Sequence, residues 1–399
     1  MERIVSLFGF CVMMLLAWLM SPYKRIIPWR VVLTGTLLQF LFALSILKTN
    51  QGLMLFSWLG DLFTMLLDFS DAGSSFVFGE NFKDFYFAFK VLPTIIFVSS
   101  LMSVLYYIRL MPQVVNGLAW VMQKTLGTSG AETLSASANV FMGQTEAPLL
   151  IKPYIGAMTL SELNAVMVGG FATISGGILA LFVGMKVPAG HLITASVISA
   201  PASLVIAKLM LPETIRPVTL GQVRLDLPPA GCNLIEAAAN GAADGMKLAI
   251  NVAAMLIAFI ALTAMVDKGL ATLGSAIGQV WSLKGALSIG FAPIAWLMGI
   301  ESKDCLKAGE LLGLKMALNE VIAFRELVNL EEQLSHRSYV ILTYALCGFA
   351  NFGSIGIQIG GLGGMAPERK SEIARLGFRA MLGGTLACCM TACVAGALL

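Results

Sequence analysis

Two acidic residues stand inside stretches that are otherwise apolar enough for lipid. Glu146 lies in "FMGQTEAPLL", Phe141 to Leu150, beside Gln144 and Thr145, with Gly143 before them and Pro148 after. Glu320 lies in "LNEVIAF", Leu318 to Phe324, beside Asn319. A carboxylate carried into a bilayer costs about 2.5–3.5 kcal/mol on insertion scales. It persists when it faces a wet cavity or a partner. A buried pair with Lys152 or Lys315 would serve helix packing alone. The amides and hydroxyl around each acid argue against that, since a lone ion pair needs no extra donors and acceptors. Two carboxylates with several amides and hydroxyls suit a neutral polyhydroxylated or heterocyclic solute. An anionic solute would be repelled, and no basic residue recurs at matching places to bind phosphate.

Further polar residues interrupt apolar runs. Thr173 and Ser175 lie in "ATISGGIL", Ala172 to Leu179, and Asn351 and Ser354 in "FANFGSIGI", Phe349 to Ile357. Small residues in membrane helices usually mean close helix packing. Here each glycine-rich break follows an acidic segment at a closely matched separation. Unwound backbone at such breaks frees carbonyls for a small cation and amides for a polar ligand, and Phe349 offers a flat face to a ring. Asn139, in "SASANVFMG", is either an interhelical hydrogen-bonding group or an oxygen ligand for a hard cation.

These residues need helices to hold them in lipid. The chain has 399 residues, 57% hydrophobic and 12% charged, and its mean hydropathy is +0.83. Soluble domains are about 25% charged, so the solvent here is a bilayer, with membrane lipid as the surrounding partner. A net charge of +3 is too small to argue for nucleic acid. Cys11, Cys232, Cys305, Cys347, Cys388, Cys389 and Cys393 form no CxxC pair and read mostly as small buried hydrophobes. The metalloprotease, nucleotide-hydrolase and serine-hydrolase signatures HExxH, GxxxxGK[ST] and GxSxG are absent.

A spanning helix needs about 20 apolar residues. Eight candidates result, near 5–20, 31–47, 91–108, 163–185, 189–210, 247–267, 337–362 and 374–398. The first is followed by a cluster of positive charge (Lys24, Arg25, Arg30), so it reads as a retained helix rather than a signal peptide. Three more apolar segments, near 133–156, 283–300 and 304–327, read as re-entrant hairpins or interfacial pieces. Arg369, Lys370, Arg375 and Arg379 join the first basic cluster in defining cytoplasmic loops, which puts both termini outside. The stretch Leu53 to Phe69 reads as an amphipathic helix on the outer surface. The order of acidic segment, glycine-broken span and further span occurs twice, and the two copies start on opposite sides. Paired interrupted segments of this kind mark a transporter's binding site.

"NVFMGQTEAP" (Asn139 to Pro148), "LNEVIAF" and "CGFANFGSIGI" (Cys347 to Ile357) resemble the signature segments of the concentrative nucleoside transporter family, and the similarity runs along nearly the whole chain. The resemblance implies an all-α polytopic membrane protein with eight transmembrane helices, two re-entrant helical hairpins, interfacial helices and inverted repeats. It implies a homotrimer with a scaffold and a mobile transport part that moves like an elevator. On that pattern residues 1–110 are amino-terminal scaffold spans, 111–215 the first repeat, 216–300 linking and interfacial helices with span 6, and 301–399 the second repeat. The resemblance puts Gln144, Thr145, Glu146 and Ile178 at the nucleobase of a nucleoside such as uridine. It puts Glu320, Phe349, Asn351 and Ser354 at the ribose and ring, with Asn319 behind them. Its sodium site maps onto Asn139, Met142, Thr173 and Ile174, with Met142 and Ile174 giving main-chain carbonyls. Thr173 and Gly353 each stand where a serine is common. Some bacterial relatives are proton-coupled and lack the asparagine, so Asn139 and Thr173 favour Na⁺, and a proton-coupled symporter is the alternative. The implied activity is Na⁺-driven nucleoside import across a bacterial inner membrane. A membrane enzyme using Glu146 and Glu320 as an acid–base pair would turn over without an ion gradient, and a channel would not concentrate its solute.

Overall fold

The computed structural model describes residues 1–221, 232–275 and 281–399. Segments 222–231 and 276–280 of the expected linking region therefore lie outside the described residues. Among the described residues all regular structure is helical. In chain order the α-helices are α1 (Glu2–Leu19), α2 (Trp29–Leu47), α3 (Asn50–Asp68), α4 (Ser70–Phe78), α5 (Leu92–Tyr107), α6 (Leu110–Leu126), α7 (Gly130–Ala138) and α8 (Lys152–Ile155). They continue with α9 (Leu160–Ala172), α10 (Gly176–Gly184), α11 (Ala189–Met210), α12 (Leu234–Ser275) and α13 (Leu283–Leu297). The last five are α14 (Cys305–Ala317), α15 (Glu320–Asn329), α16 (His336–Leu346), α17 (Phe352–Met365) and α18 (Lys370–Leu398).

The expected order appears twice. First come α7, a tip that turns through 139–146 into a 3-10 helix (Ala147–Ile151), and α8, then the broken pair α9 and α10, then unbroken α11. Later come the α14–α15 hairpin, the broken pair α16 and α17, then unbroken α18. Each new half-helix starts on a side chain that accepts from its own first turn. Ser175 Oγ accepts from the Ile178 N–H, Asn319 Oδ1 from Ile322 and Asn351 Oδ1 from Ser354, at 3.4, 2.9 and 2.8 Å. Such caps satisfy amide groups that lipid would leave bare. They also fix where each break falls.

The two repeats form the interior. Of the most apolar window in each span, 89% is buried in α9–α10 and in α11, and 72% in the span ending in α18, against 22% in the α5 span and 12% in α12. Helix α9 lies on α18 and α11, while α5 and α12 pair with each other outside this core. Eight helical stretches are long and apolar enough to cross a membrane among the described residues. Asn50–Phe78 is one of them, where an outer-surface amphipathic helix over Leu53 to Phe69 was expected. The 337–362 span drops out of that set because α16 and α17 are separated at Cys347–Asn351. Span 6, expected near 247–267, is the much longer α12. Its early turns contain glycine and aspartate, which read as linker in sequence. A Cβ on Gly241 would come within 2.6 Å of the Ser99 carbonyl, and one on Gly245 within 2.7 Å of Ile96 Cα. These glycines are there for close helix contact with α5.

A buried ionic group ties the first repeat together. Lys208 of α11 pairs with Glu132 of α7 at 2.7 Å and with Glu213 at 3.2 Å, and donates to Ser161 Oγ of α9 at 2.9 Å. Glu132 also closes a capping box with Ser129 at the start of α7. Glu162 does the same with Thr159 at the start of α9 and accepts from Thr219 at 2.8 Å. Removing the cation strands two carboxylates in a low-dielectric setting, which costs about 3–5 kcal/mol. Lys208→Met should therefore lower the thermal unfolding midpoint in detergent by several degrees. Adding Glu132→Gln, which removes one stranded charge and keeps the cap, should recover part of that loss.

Candidate functional site

The two helix breaks touch. The Phe349 N–H, in the α16–α17 break, donates to the Thr173 carbonyl in the α9–α10 break at 3.3 Å. Glu320, the first residue of α15, is buried and accepts from Asn351 Nδ2 at 2.8 Å. Asn351 thus caps α17 with its oxygen and holds the acid with its nitrogen. Ser354 is buried in the first turn of α17, and Asn319 caps the helix that begins with Glu320. Lys315 is nearby but donates to the Ala345 carbonyl at 2.8 Å. Among the described residues no ion pair involves Glu320 or Glu146. A small cavity beside this cluster reaches Lys315, Ala345 and Ala350 and touches neither acid.

The first tip docks on the first break. The Gly176 N–H donates to the Phe141 carbonyl at 3.0 Å. Asn139 is fully buried, and among the described residues neither its Oδ1 nor its Nδ2 has a hydrogen-bond partner. Buried polar groups are nearly always paired, so an orphaned amide points to a missing ligand. Asn139 and Thr173 gather at one glycine. A Cβ on Gly169 would sit 3.3 Å from Asn139 Nδ2, and Thr173 Oγ1 donates to the Gly169 carbonyl at 3.0 Å. Among the described residues the Met142 and Ile174 carbonyls accept no hydrogen bond. The result is a set of neutral oxygen atoms, the donor class that hard cations take.

The same tip reaches the second repeat. Gln144 Oε1 accepts from Gln358 Nε2 of α17 at 3.1 Å. Thr145 lies against Gly361 of α17, where an added Cβ would come within 3.0 Å of Thr145 Cγ2. Glu146 is exposed, and its carboxylate accepts from the Gly143 N–H at 3.1 Å. It stands close enough to Tyr106 of α5 and Asp244 of α12 to interact with both electrostatically. Ile178, in the first turn of α10, is buried.

The sequence matches three family models: "Na+ dependent nucleoside transporter C-terminus" over residues 191–396, its N-terminal counterpart over 8–81, and "Nucleoside recognition" over 88–188. The chain belongs to the sodium-dependent nucleoside transporter family. It is 44% identical to solute carrier family 28 member 3 of Homo sapiens, across 100% of this chain and 60% of that protein. It is 43% identical to sodium/nucleoside cotransporter 1 of Mus musculus, across 100% of this chain and 64% of that protein. The chain thus spans less than two thirds of the curated relatives it matches. Among solved structures it resembles CNTnw in an inward-facing substrate-bound state, at a TM-score of 0.94 and 40% identity, covering 100% of this chain and 98% of that one. A variant of CNTnw in an outward-facing state is as similar in shape, at 0.94 and 39% identity, over 100% and 97%. The family is one of transporters, not of enzymes.

Within this transporter fold, main-chain and amide bonds bring several of the expected residues together. Glu320, Asn351, Ser354 and Phe349 share the second break, and Asn139 and Thr173 meet at the first. Gln144 and Thr145 lean on α17 of the second repeat. Glu146 takes no part in that contact; it is solvent-accessible, and among the described residues its carboxylate accepts only from the Gly143 N–H of its own tip. Gln358 was missed. A lone glutamine inside the apolar run "SIGIQIGGLGG" was the available signal. Asn351 holds two tasks that can be separated. Asn351→Ala removes both the cap and the Glu320 donor, and a lost cap alone costs about 1 kcal/mol. Asn351→Ser restores a capping oxygen but not the amide. The thermal unfolding midpoint should recover in the serine variant and stay lowered in the alanine variant; equal midpoints would remove the capping role.

Proposed function

We propose that this chain is a secondary active symporter that brings nucleosides inward across a bacterial inner membrane, driven by the Na⁺ gradient. The observation that carries the reading is Asn139, buried with both polar atoms of its amide unpartnered beside a broken helix. An amide cannot titrate near neutral pH. It suits a cation far better than a proton, which favours Na⁺ over the proton-coupled alternative. Asn139, Thr173 and the carbonyls of Met142 and Ile174 are the assigned Na⁺ ligands.

The solute is assigned to the faces beside this position. Gln144, Thr145, Glu146 and Ile178 would meet the base. Glu320, Phe349, Asn351 and Ser354 would meet the ribose and the ring, with Asn319 supporting Glu320. A carboxylate that already accepts from one amide has lone pairs left for two ribose hydroxyls. Na⁺ held between tip and break would order Gly143 to Glu146 and raise nucleoside affinity. By linkage the nucleoside then raises Na⁺ affinity by the same factor.

The movement is assigned to the two repeats, 111–215 and 301–399, as a body sliding against a scaffold of 1–110 and 216–300 in a homotrimer. The buried Glu132–Lys208–Glu213 group supports this, because it binds α7, α9 and α11 into one piece. The exposed, strongly apolar length of α12 supports a peripheral role facing lipid or neighbouring copies.

Uptake of uridine into proteoliposomes with an imposed Na⁺ or H⁺ gradient tests the reading directly. Uptake should follow the Na⁺ gradient at fixed pH. Dependence on the proton gradient alone would shift the assignment to the alternative. Asn139→Ala should raise the Na⁺ concentration for half-maximal uptake about tenfold, the loss of roughly one ligand interaction. An unchanged Na⁺ dependence would move the cation elsewhere. Glu320→Gln should abolish uptake, because a neutral amide cannot accept from two hydroxyls with charge assistance. Near wild-type uptake would remove Glu320 from the ribose site.

A further inference from the structure

Gln358 has no part in the reading above, yet it is among the most buried polar residues of the cluster, 1% exposed on α17. Its Nε2 donates to the Met167 carbonyl of α9 at 3.0 Å and to Gln144 Oε1 at 3.1 Å. The two ends of an amide are told apart by their partners. A main-chain carbonyl can only accept, so Met167 dictates that the NH₂ of Gln358 faces it. Both hydrogens of that NH₂ are then spent, one on each oxygen. The same group dictates Gln144. Turning Gln144 over would set one NH₂ against another. Its oxygen is therefore committed to the protein and its own NH₂ is the free end. Among the described residues that nitrogen has no partner and it is not sealed inside the protein, whereas Gln358 Oε1 is both buried and unpartnered. Gly170 makes the arrangement possible. A Cβ there would come within 2.7 Å of Gln358 Nε2 and 2.9 Å of Gln144 Cβ.

We propose that Gln358 is a positioning residue that holds the Gln144 amide with its NH₂ toward the solute, so that the site selects a base bearing a hydrogen-bond acceptor opposite Gln144. The inference rests on the nucleoside reading and sharpens it. Uracil and cytosine differ at two adjacent positions of one edge: at C4 uracil carries a carbonyl acceptor and cytosine an amino donor, and at N3 uracil carries an N–H donor and cytosine an acceptor nitrogen. On this proposal Gln144 lies opposite C4, where a fixed donor favours uridine over cytidine. An amide free to turn over would serve either.

The test is Na⁺-driven uptake of uridine and of cytidine into proteoliposomes, with KM for each, in wild type, Gln358→Met and Gln144→Glu. Methionine keeps the length and volume of the side chain and removes its polar atoms. In Gln358→Met the ratio of the two KM values should fall about fivefold toward unity, the effect of one hydrogen bond. Gln144→Glu keeps an acceptor for Gln358 and replaces the free NH₂ by an oxygen, so preference should turn to cytidine. An unchanged ratio in Gln358→Met, with both nucleosides weakened alike, means that Gln358 only fills space and overturns the proposal. Retained uridine preference in Gln144→Glu overturns it as well. Should Gln358→Met fail to fold, Gln144→Glu decides alone, because its outcome depends on the same orientation. A wild-type protein that carries neither nucleoside would defeat the functional reading itself, and the inference with it.

Discussion

The structure depends on one constraint: main-chain groups released where a helix breaks inside a membrane must find partners within the protein. Hydrocarbon offers none, and each unsatisfied group costs several kcal/mol. This chain breaks two interior spans and folds back two hairpins. It meets the cost by bringing the breaks to each other. The Phe349 N–H takes the Thr173 carbonyl, the Gly176 N–H takes the Phe141 carbonyl, and side-chain caps serve the new helix starts. The polar cluster is therefore a consequence of satisfying backbone. Once four interrupted segments must share partners, their side chains converge as well.

Charge is sorted along the same lines. The acid that needs a fixed place, Glu132, is neutralised by Lys208 and locked by its capping box. Glu320 is held by an amide, which orients a carboxylate without cancelling its charge. Lys315, the residue best placed to cancel it, is engaged with the Ala345 carbonyl instead. An ion pair would make Glu320 a structural element. An amide leaves its negative charge available to a guest. Glu132 of the first repeat and Glu320 of the second are thus held in different ways.

The parts of this arrangement that carry polar residues were legible in the sequence. Glu146, Glu320, Thr173 and Asn351 each stood out against apolar neighbours, and their spacing recovered the doubled order of hairpin, broken span and intact span. What escaped was decided by tertiary contact. The early turns of α12 contain Gly241, Asp244 and Gly245, which read locally as a linker, and only the approach of α5 makes those glycines helical necessities. The break between α16 and α17, by contrast, was marked by the glycines and polar residues of Phe349 to Ile357. Gln358 was overlooked because one amide in an apolar helix has many uses. Its meaning comes from Met167 and Gln144, which lie far away in sequence.

Two adjacent glycines show how closely the parts are joined. Gly169 leaves room for the Asn139 amide and lends its carbonyl to Thr173. Gly170, the next residue, leaves room for Gln144 and Gln358. Successive positions on a helix face different directions, so one peptide unit of α9 meets the proposed cation on one side and the proposed solute contacts on the other. Any shift of the tip that loosened Asn139 would also be felt at Gln144, five residues along the same tip and pressed on the same turn. Packed interiors transmit such displacements because they have no slack to absorb them. Mutual strengthening of ion and solute binding then requires no distant relay, only a turn of helix too tightly filled for its two sides to move independently.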